Sequence, residues 1–272
     1  MERTGLITRM QAFLIADDRV RAAWLGGSDA TDRVDGRSDI DLVIVSEPGM
    51  VEPAFELFAA WFTDLVGIRR HHRLPDPTVH GHPQALFHGE GLSDDLAVDL
   101  MVMHTEVPVE HRFLEVERHG RVKPLVDRLG WLAETVRVDP ESRSIEIDRH
   151  LDSIAGMHPF QHPLVEKSIT RGHSLEAIDA YQRRLLRPLC DLMRIEHDPD
   201  RFDFGFRYLD RDLPDIDREL LEHLAFVADL ETLRERAATC RMEIERRLVR
   251  LNDARPGLAR RAGGTVRPAD RR

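Results

Sequence analysis

Two short segments indicate the fold of this chain more clearly than any others: Ala22-Ala-Trp-Leu-Gly-Gly-Ser28 and, ten residues later, Asp39-Ile-Asp-Leu-Val-Ile-Val45. A turn of small residues follows one apolar strand, and a pair of aspartates opens the next strand. On a strand, residues i and i+2 point to the same face and lie about 6.6 Å apart, at ~3.3 Å per residue. Asp39 and Asp41 are therefore predicted to project side by side, with Ile40 turned into the core.

A third carboxylate, Asp99, interrupts the otherwise apolar run Leu96–Met103. A charged side chain is rarely buried without a partner, so Asp99 needs a cation. If its strand neighbours that of Asp39 and Asp41, about 4.8 Å away, the three carboxylates meet at one place. Such hard oxygen ligands suit Mg²⁺, and a turn with free backbone N–H groups beside them can hold a phosphate. Each motif alone is a weak signal, but their joint order predicts phosphoryl or nucleotidyl transfer.

This arrangement resembles the nucleotidyltransferase superfamily of the DNA polymerase β type. Its signature is Gly-Ser or Gly-Gly, a short spacer, Asp-apolar-Asp/Glu, and a third carboxylate on a later strand. The matching residues here are Gly27, Ser28, Asp39, Asp41 and Asp99. The resemblance implies that Gly27 and Ser28 bind the β- and γ-phosphates of ATP. It also implies that Asp39 and Asp41 hold two Mg²⁺ ions, and that Asp99 is a metal ligand, the general base, or both.

The second half of the chain is similar to the helical domain of aminoglycoside and streptomycin adenylyltransferases, through Tyr181–Leu189 and the segment from Arg201 to Pro214. This likeness implies transfer of AMP to a hydroxyl of a small molecule, with release of pyrophosphate. An aminoglycoside is the leading acceptor because an acidic protein attracts cationic ligands. The rival interpretations are a protein AMP-transferase of the toxin–antitoxin type and a non-catalytic nucleotide-binding regulator.

Four basic residues are candidates to contact the triphosphate. Arg37 lies two residues before Asp39 and is predicted to bind the nucleotide by neutralising a phosphate oxygen. The other three lie on predicted helices of the second half, where an ordinary surface charge explains each of them better; they are Lys167, Arg171 and Arg187.

Predicted strands and helices alternate up to about residue 135, and only helices follow Asp139-Pro140. The fold class is therefore predicted to be α+β, with a small mixed β-sheet domain followed by an all-α helical bundle. We assign residues 1–138 to the nucleotidyltransferase domain and residues 139–252 to a helical substrate-binding domain. Residues 253–272 hold six arginines and lack apolar periodicity, which predicts a disordered tail.

The composition limits the partners of this chain of 272 residues. Its formal charge of −10 argues against nucleic-acid binding, which needs a basic surface. No long apolar segment predicts a membrane span, and the two cysteines are too few for a disulfide framework, so a cytoplasmic location is expected. Five histidines between residues 71 and 88 are interpreted as part of a loop bordering the active site, because a zinc site would need tighter ligand spacing.

Overall fold

The computed structural model describes residues 1–255, and it divides after Val138 into two units. The first unit contains a six-stranded mixed sheet with helices, and the described part of the second unit is helical. The predicted α+β fold class is confirmed.

The first unit is built on one sheet with the strand order β3-β4-β5-β2-β1-β6. Its strands β1 to β6 span Ala22–Leu25, Ile40–Ser46, Ile68–Arg73, Gln84–Gly89, Val98–His104 and Lys123–Asp127. Its helices α1 to α4 span Arg3–Ala16, Gly27–Ala30, Val51–Val66 and Val116–His119. Strands β2 and β5 are parallel, and every other neighbouring pair is antiparallel. The two central strands are thus brought together by a crossover through α3, β3 and β4.

Both faces of the central strands are covered over much of their length, which explains their almost continuous apolar sequences. On one face, Ile40 and Val98 pack in a core with Phe58 of α3. On the other face, Trp24 and Met103 belong to a second cluster that the segment after β5 helps to build. The sheet is therefore firmly packed around the position where the aspartates occur.

The short elements of this unit differ from the sequence prediction. The Gly27–Ser28 turn continues into the one-turn helix α2. Neither α4 nor the edge strand β6 was predicted, because Lys123-Pro-Leu-Val-Asp127 is short, charged at both ends and contains a proline. An edge strand tolerates that proline, since one side of its backbone has no partner strand.

The second unit consists of helices α5 to α10, which span Pro140–Thr170, Ser174–Tyr181, Arg187–His197, Leu209–Asp212, Asp215–Ala225 and Leu230–Ala254. A π-helical stretch, Gln182–Leu186, connects α6 to α7. Helix α5 contains two prolines, Pro159 and Pro163. Apolar residues on both sides of the prolines pack into the same core, which keeps the helix continuous.

The predicted tail begins two residues too early, since Asp253 and Ala254 belong to α10; residues 256–272 lie outside the described residues. Among the described residues, the helices are too short or too polar to cross a membrane.

The core of the second unit encloses several polar groups. Arg194 is fully buried, and its Nη1 donates to Asp212 Oδ2 at 2.9 Å while its Nε donates to the Gly205 carbonyl at 2.6 Å. Both cysteines are free and buried. Burial raises the pKa of the Cys190 thiol to about 11 and that of the Cys240 thiol to about 12.

Candidate active site

The aspartates predicted from the sequence meet on the central strands of the sheet. Asp41 of β2 pairs directly with Asp99 of β5, so both side chains project from the same face of neighbouring strands. Their backbones are therefore separated by one strand spacing, about 4.8 Å. Ile40 between the two aspartates of β2 is fully buried, as the alternation predicts.

Asp39 lies immediately before β2, where the sheet bonding continues. The Ile40 N–H donates to the Ala97 carbonyl at 2.9 Å, and the Ala97 N–H donates to Asp39 Oδ1 at 3.0 Å. This second bond holds the Asp39 carboxylate beside the start of β5. The other oxygen of Asp39 is not used by this bond, so the residue retains a hard ligand atom.

Gly27 brings the small-residue turn against Asp41. The Gly26 N–H donates to the Asp41 carbonyl at 2.9 Å, and Gly27 has a φ of +52°. A Cβ atom at position 27 would lie only 1.8 Å from Asp41 Oδ2. Both the left-handed backbone and the close approach to the carboxylate therefore require glycine here.

Ser28, the next residue of the turn, has a buried hydroxyl. Its Oγ has no hydrogen-bond partner among the described residues. A buried polar group without a partner is costly, which indicates a position for a polar ligand. Together with the aspartate oxygens, which are the donors that Mg²⁺ prefers, this turn fits a metal-bound triphosphate.

Arg3 links the turn to the strand of aspartates, a role that no sequence pattern indicated. Its guanidinium forms an ion pair with the buried carboxylate of Asp29 on α2. The same side chain donates to the Ser38 carbonyl at 3.2 Å and to the Asp39 carbonyl at 3.0 Å. A second cation, Lys123 Nζ, lies 3.7 Å from Asp29 Oδ1. The two sequence segments of the motif are thus held by one arginine from α1.

Asp99 is held by a short chain of polar side chains. Gln84 Nε2 donates to Asp99 Oδ1 at 2.6 Å, and His80 Nε2 lies 2.8 Å from Gln84 Oε1. Burial raises the pKa of Asp99, and the nearby negative charge of Asp39 acts in the same direction. The bond from Gln84 opposes this shift because it stabilises the ionised carboxylate. Asp99 therefore has the environment of a proton acceptor whose basicity is increased.

The five histidines near the site do not share one loop, which corrects the sequence interpretation. Two belong to β3, one to β4, and two to the connection between these strands; they are His71, His72, His88, His80 and His82. His82 is buried, with its Nε2 2.7 Å from the His111 carbonyl oxygen, and burial lowers its pKa. His71 stacks on Phe87 with ring centroids 4.4 Å apart.

A separate acidic group occurs in the second unit. Among the described residues, Glu196, His197 and Asp217 form the one group of three such side chains with ligand atoms within 4.8 Å. Buried Arg247 forms ion pairs with Glu196 and Asp217, and His197 Nε2 lies 2.7 Å from Asp217 Oδ2. An internal arginine thus supplies the cation that these carboxylates need.

The remaining basic candidates lie in different surroundings. Arg37 is exposed in the turn before β2, where its backbone N–H donates to Asp35 Oδ1 at 2.9 Å. Lys167 and Arg171 line the same open cavity of about 500 Å³ in the second unit. Arg187 instead pairs with Asp191, with 2.8 Å between Nε and Oδ1. The structure therefore groups two of the three predicted second-unit cations and separates the third.

Three solved structures are similar to this chain at low identity. An aminoglycoside 6-adenyltransferase from Bacillus subtilis is 15% identical, with 95% of this chain and 92% of that chain covered and a TM-score of 0.36. A nucleotidyltransferase-like protein from Exiguobacterium sibiricum is 13% identical, with 97% and 80% covered and a TM-score of 0.42. A CCA-adding enzyme in complex with ATP is 13% identical, with 97% and 74% covered and a TM-score of 0.35.

No family model and no curated protein matches the chain. At these identities and TM-scores the three solved structures carry no information about the acceptor.

Proposed function

We propose that this protein is a nucleotidyltransferase that moves AMP from Mg-ATP to a hydroxyl of a small molecule and releases pyrophosphate. The observation that carries the proposal is the pairing of Asp41 with Asp99 on parallel strands, with Gly27 in contact distance of the Asp41 carboxylate. The buried hydroxyl of Ser28 supplies a polar group where the resemblance puts the triphosphate.

Each residue of the site has a distinct part in this reaction. Gly27 and Ser28 hold the β- and γ-phosphates, through backbone N–H groups and the Ser28 hydroxyl. The metal-binding residues are Asp39, Asp41 and Asp99, and the Mg²⁺ ions held there would neutralise the charge of the phosphates. Exposed Arg37 is the candidate for one further phosphate oxygen.

Proton transfer falls to Asp99. The acceptor oxygen forms a bond to the α-phosphorus, the bond from that phosphorus to the pyrophosphate oxygen breaks, and the hydroxyl proton is lost. Gln84 occupies Oδ1 of Asp99, so Oδ2 is the oxygen available to take that proton. The raised pKa of Asp99 makes it a better base than an exposed aspartate. A role as metal ligand remains part of the proposal for the same residue.

The acceptor is a hydroxylated small molecule, and the overall charge of −10 favours a cationic one such as an aminoglycoside. The helical unit is proposed to take part in acceptor binding. Two free, buried cysteines agree with a reducing, cytoplasmic location. A protein acceptor or a non-catalytic regulatory role are the alternatives.

Pyrophosphate release from ATP in the presence of Mg²⁺ tests the proposal. The protein is assayed with aminoglycosides, sugars and sugar phosphates, and Asp41→Asn is compared with Asp18→Asn, which changes an exposed aspartate. We expect Asp41→Asn to reduce the rate by on the order of 10² or more, because the charge that stabilises the transferred phosphoryl group is lost. Asp18→Asn should have no effect. If the protein binds ATP but releases no pyrophosphate with any of these acceptors, the result would support the regulatory alternative.

A further inference from the structure

The face of the sheet that carries the aspartates continues beyond Asp99 towards the edge. Asp99 pairs with Leu86 on β4, and Leu86 pairs with His72 on β3. Residues paired across a sheet project from the same face, so Asp41, Asp99, Leu86 and His72 form one row on four neighbouring strands. The residues that follow Asp99 in this row lie directly beside the proposed base.

A cavity of about 470 Å³ lies over this part of the sheet. Four of its lining residues form what we name the edge shelf: Arg70 and His72 on β3, and Leu86 and His88 on β4. Arg70 pairs with His88, which places these two residues in the row next to that of His72 and Leu86. Each of the two strands therefore contributes two side chains to the shelf, which lies on the same face of the sheet as Asp99.

Leu86 makes the floor of the shelf apolar. Its side chain is 41% exposed, although it lies on an inner strand between β3 and β5. The next residue, Phe87, points to the opposite face and is buried in the core. The face of β4 that carries Leu86 is thus open to a ligand, whereas its other face is fully packed.

The charge of the shelf is positive. Arg69, which also lines the cavity, is neutralised by an ion pair with Asp94. Arg70 is exposed and has no ion pair with any described residue. The imidazole of His72 adds one further donor group, whereas the Nε2 donor of His88 is already used by the Ser93 carbonyl at 2.9 Å. An anionic group therefore finds at Arg70 a guanidinium that no carboxylate of the protein has taken.

The shelf and the phosphate-binding turn lie on opposite sides of the aspartates. The turn follows β1, which pairs with β2, whereas the shelf is on β4 and β3, which lie beyond β5. A triphosphate held at Gly27 and Ser28 leaves the β5 side of the site to the acceptor. Asp99, the proposed proton acceptor, is the aspartate nearest to the shelf.

We propose that the edge shelf binds the acceptor, and that this acceptor is a hydroxylated small molecule carrying a phosphate or carboxylate group. This inference rests on the proposed function. Arg70 binds the anionic group through its planar fork of donors, and Leu86 contacts the carbon skeleton. Strand β3 lies two strand spacings, about 10 Å, from β5, and the long side chain of Arg70 bridges much of that distance. A molecule of sugar-phosphate size therefore reaches from Arg70 to Asp99. The local charge thus favours an anionic acceptor, whereas the net charge alone favours an aminoglycoside.

Binding measurements on the full chain test this inference without relying on catalysis. Ribose 5-phosphate, gluconate, neutral ribose and an aminoglycoside are titrated by calorimetry at constant ionic strength. Arg70→Gln is compared with Arg9→Gln, which removes the same charge from an exposed arginine of α1 that lines a different cavity, and with Arg70→Lys. We expect an anionic sugar to bind wild-type protein at least about tenfold more tightly than ribose, since only the anionic sugar receives charged hydrogen bonds from Arg70. Arg70→Gln should abolish this difference, Arg70→Lys should restore part of it, and Arg9→Gln should leave it within about twofold.

The outcomes separate the two proposals. Equal binding of anionic and neutral sugars, or equal effects of Arg9→Gln and Arg70→Gln, would overturn the shelf as an anion site. An aminoglycoside that binds best, with an affinity that Arg70→Gln does not lower, would overturn it as well. Preference for ribose 5-phosphate over gluconate, or the reverse, identifies the anionic group. A different result is that an anionic sugar binds in a way that depends on Arg70 while no acceptor causes pyrophosphate release from ATP. That result would contradict the proposed transfer reaction and the acceptor role that rests on it.

Discussion

Replacing Gly27 by alanine tests the contact between the turn and Asp41. The new Cβ would lie 1.8 Å from Oδ2 and 2.6 Å from Cγ of Asp41, and ordinary contact begins at 3.4 Å. The end of a flexible side chain can move, so we expect the carboxylate to be displaced by more than an ångström while the fold survives. A displacement of about 1 Å can reduce catalysis roughly a hundredfold. The φ of +52° adds a backbone cost of about 1–2 kcal/mol for any residue with a Cβ.

Gly49→Ala is the matched control for this variant. Gly49 has a φ of +80°, but a Cβ there would meet nothing within 4 Å. Both variants should therefore lose similar thermal stability, about 2–4 °C in Tm for each kcal/mol. Only Gly27→Ala should lose pyrophosphate release, by about a hundredfold at saturating ATP. Equal activity of the two variants would show that the position of the Asp41 carboxylate does not govern the reaction.

Three further predictions concern other parts of the chain. Gln84→Leu removes the hydrogen bond that stabilises ionised Asp99, so the pKa of Asp99 should rise further and the acid limb of the pH–rate profile should move to higher pH. An unchanged profile would argue against Asp99 as the base. Arg194→Met should lower the free energy of unfolding by about 3–5 kcal/mol in denaturant titrations, because it breaks a fully buried charge network. The control Arg183→Met, which breaks an ion pair at the surface, should lower it by less than about 1 kcal/mol. The two cysteine thiols should resist alkylation at pH 8 until the protein is unfolded, since their pKa values of about 11 and about 12 leave roughly a thousandth or less of each as thiolate. Rapid labelling of the folded protein would contradict their burial.

Strong local patterns allowed the centre of the site to be predicted from sequence. Strand β2 was predicted one residue early, at Asp39, and β5 two residues early, at Leu96. Both have apolar runs long enough to identify a buried strand, and an aspartate in such a run is conspicuous. Their adjacency was a hypothesis, which the register of Asp41 with Asp99 now confirms.

The surroundings of the site could not be predicted, because they depend on contacts that leave no local pattern. Arg3 bonds to the Asp39 carbonyl from 36 residues away and looks like any surface arginine in sequence. Gln84 has a common polar side chain, and its bond to Asp99 exists only because β4 pairs with β5. Leu86 would be assigned to a core by its hydrophobicity, yet it faces outward beside the aspartates.

The crossover between β2 and β5 also determines when during folding the site can form. The bond from the Ala97 N–H to Asp39 joins residues 58 positions apart, and closing so long a loop is entropically unfavourable until other contacts compensate. A nascent or truncated chain ending before β5 would contain the whole Gly-Ser and Asp-Ile-Asp motif without the third aspartate or the parallel pairing. If the proposed function holds, nucleotide binding should therefore return during refolding later than helical structure, because the third aspartate joins the site only when β5 pairs with β2.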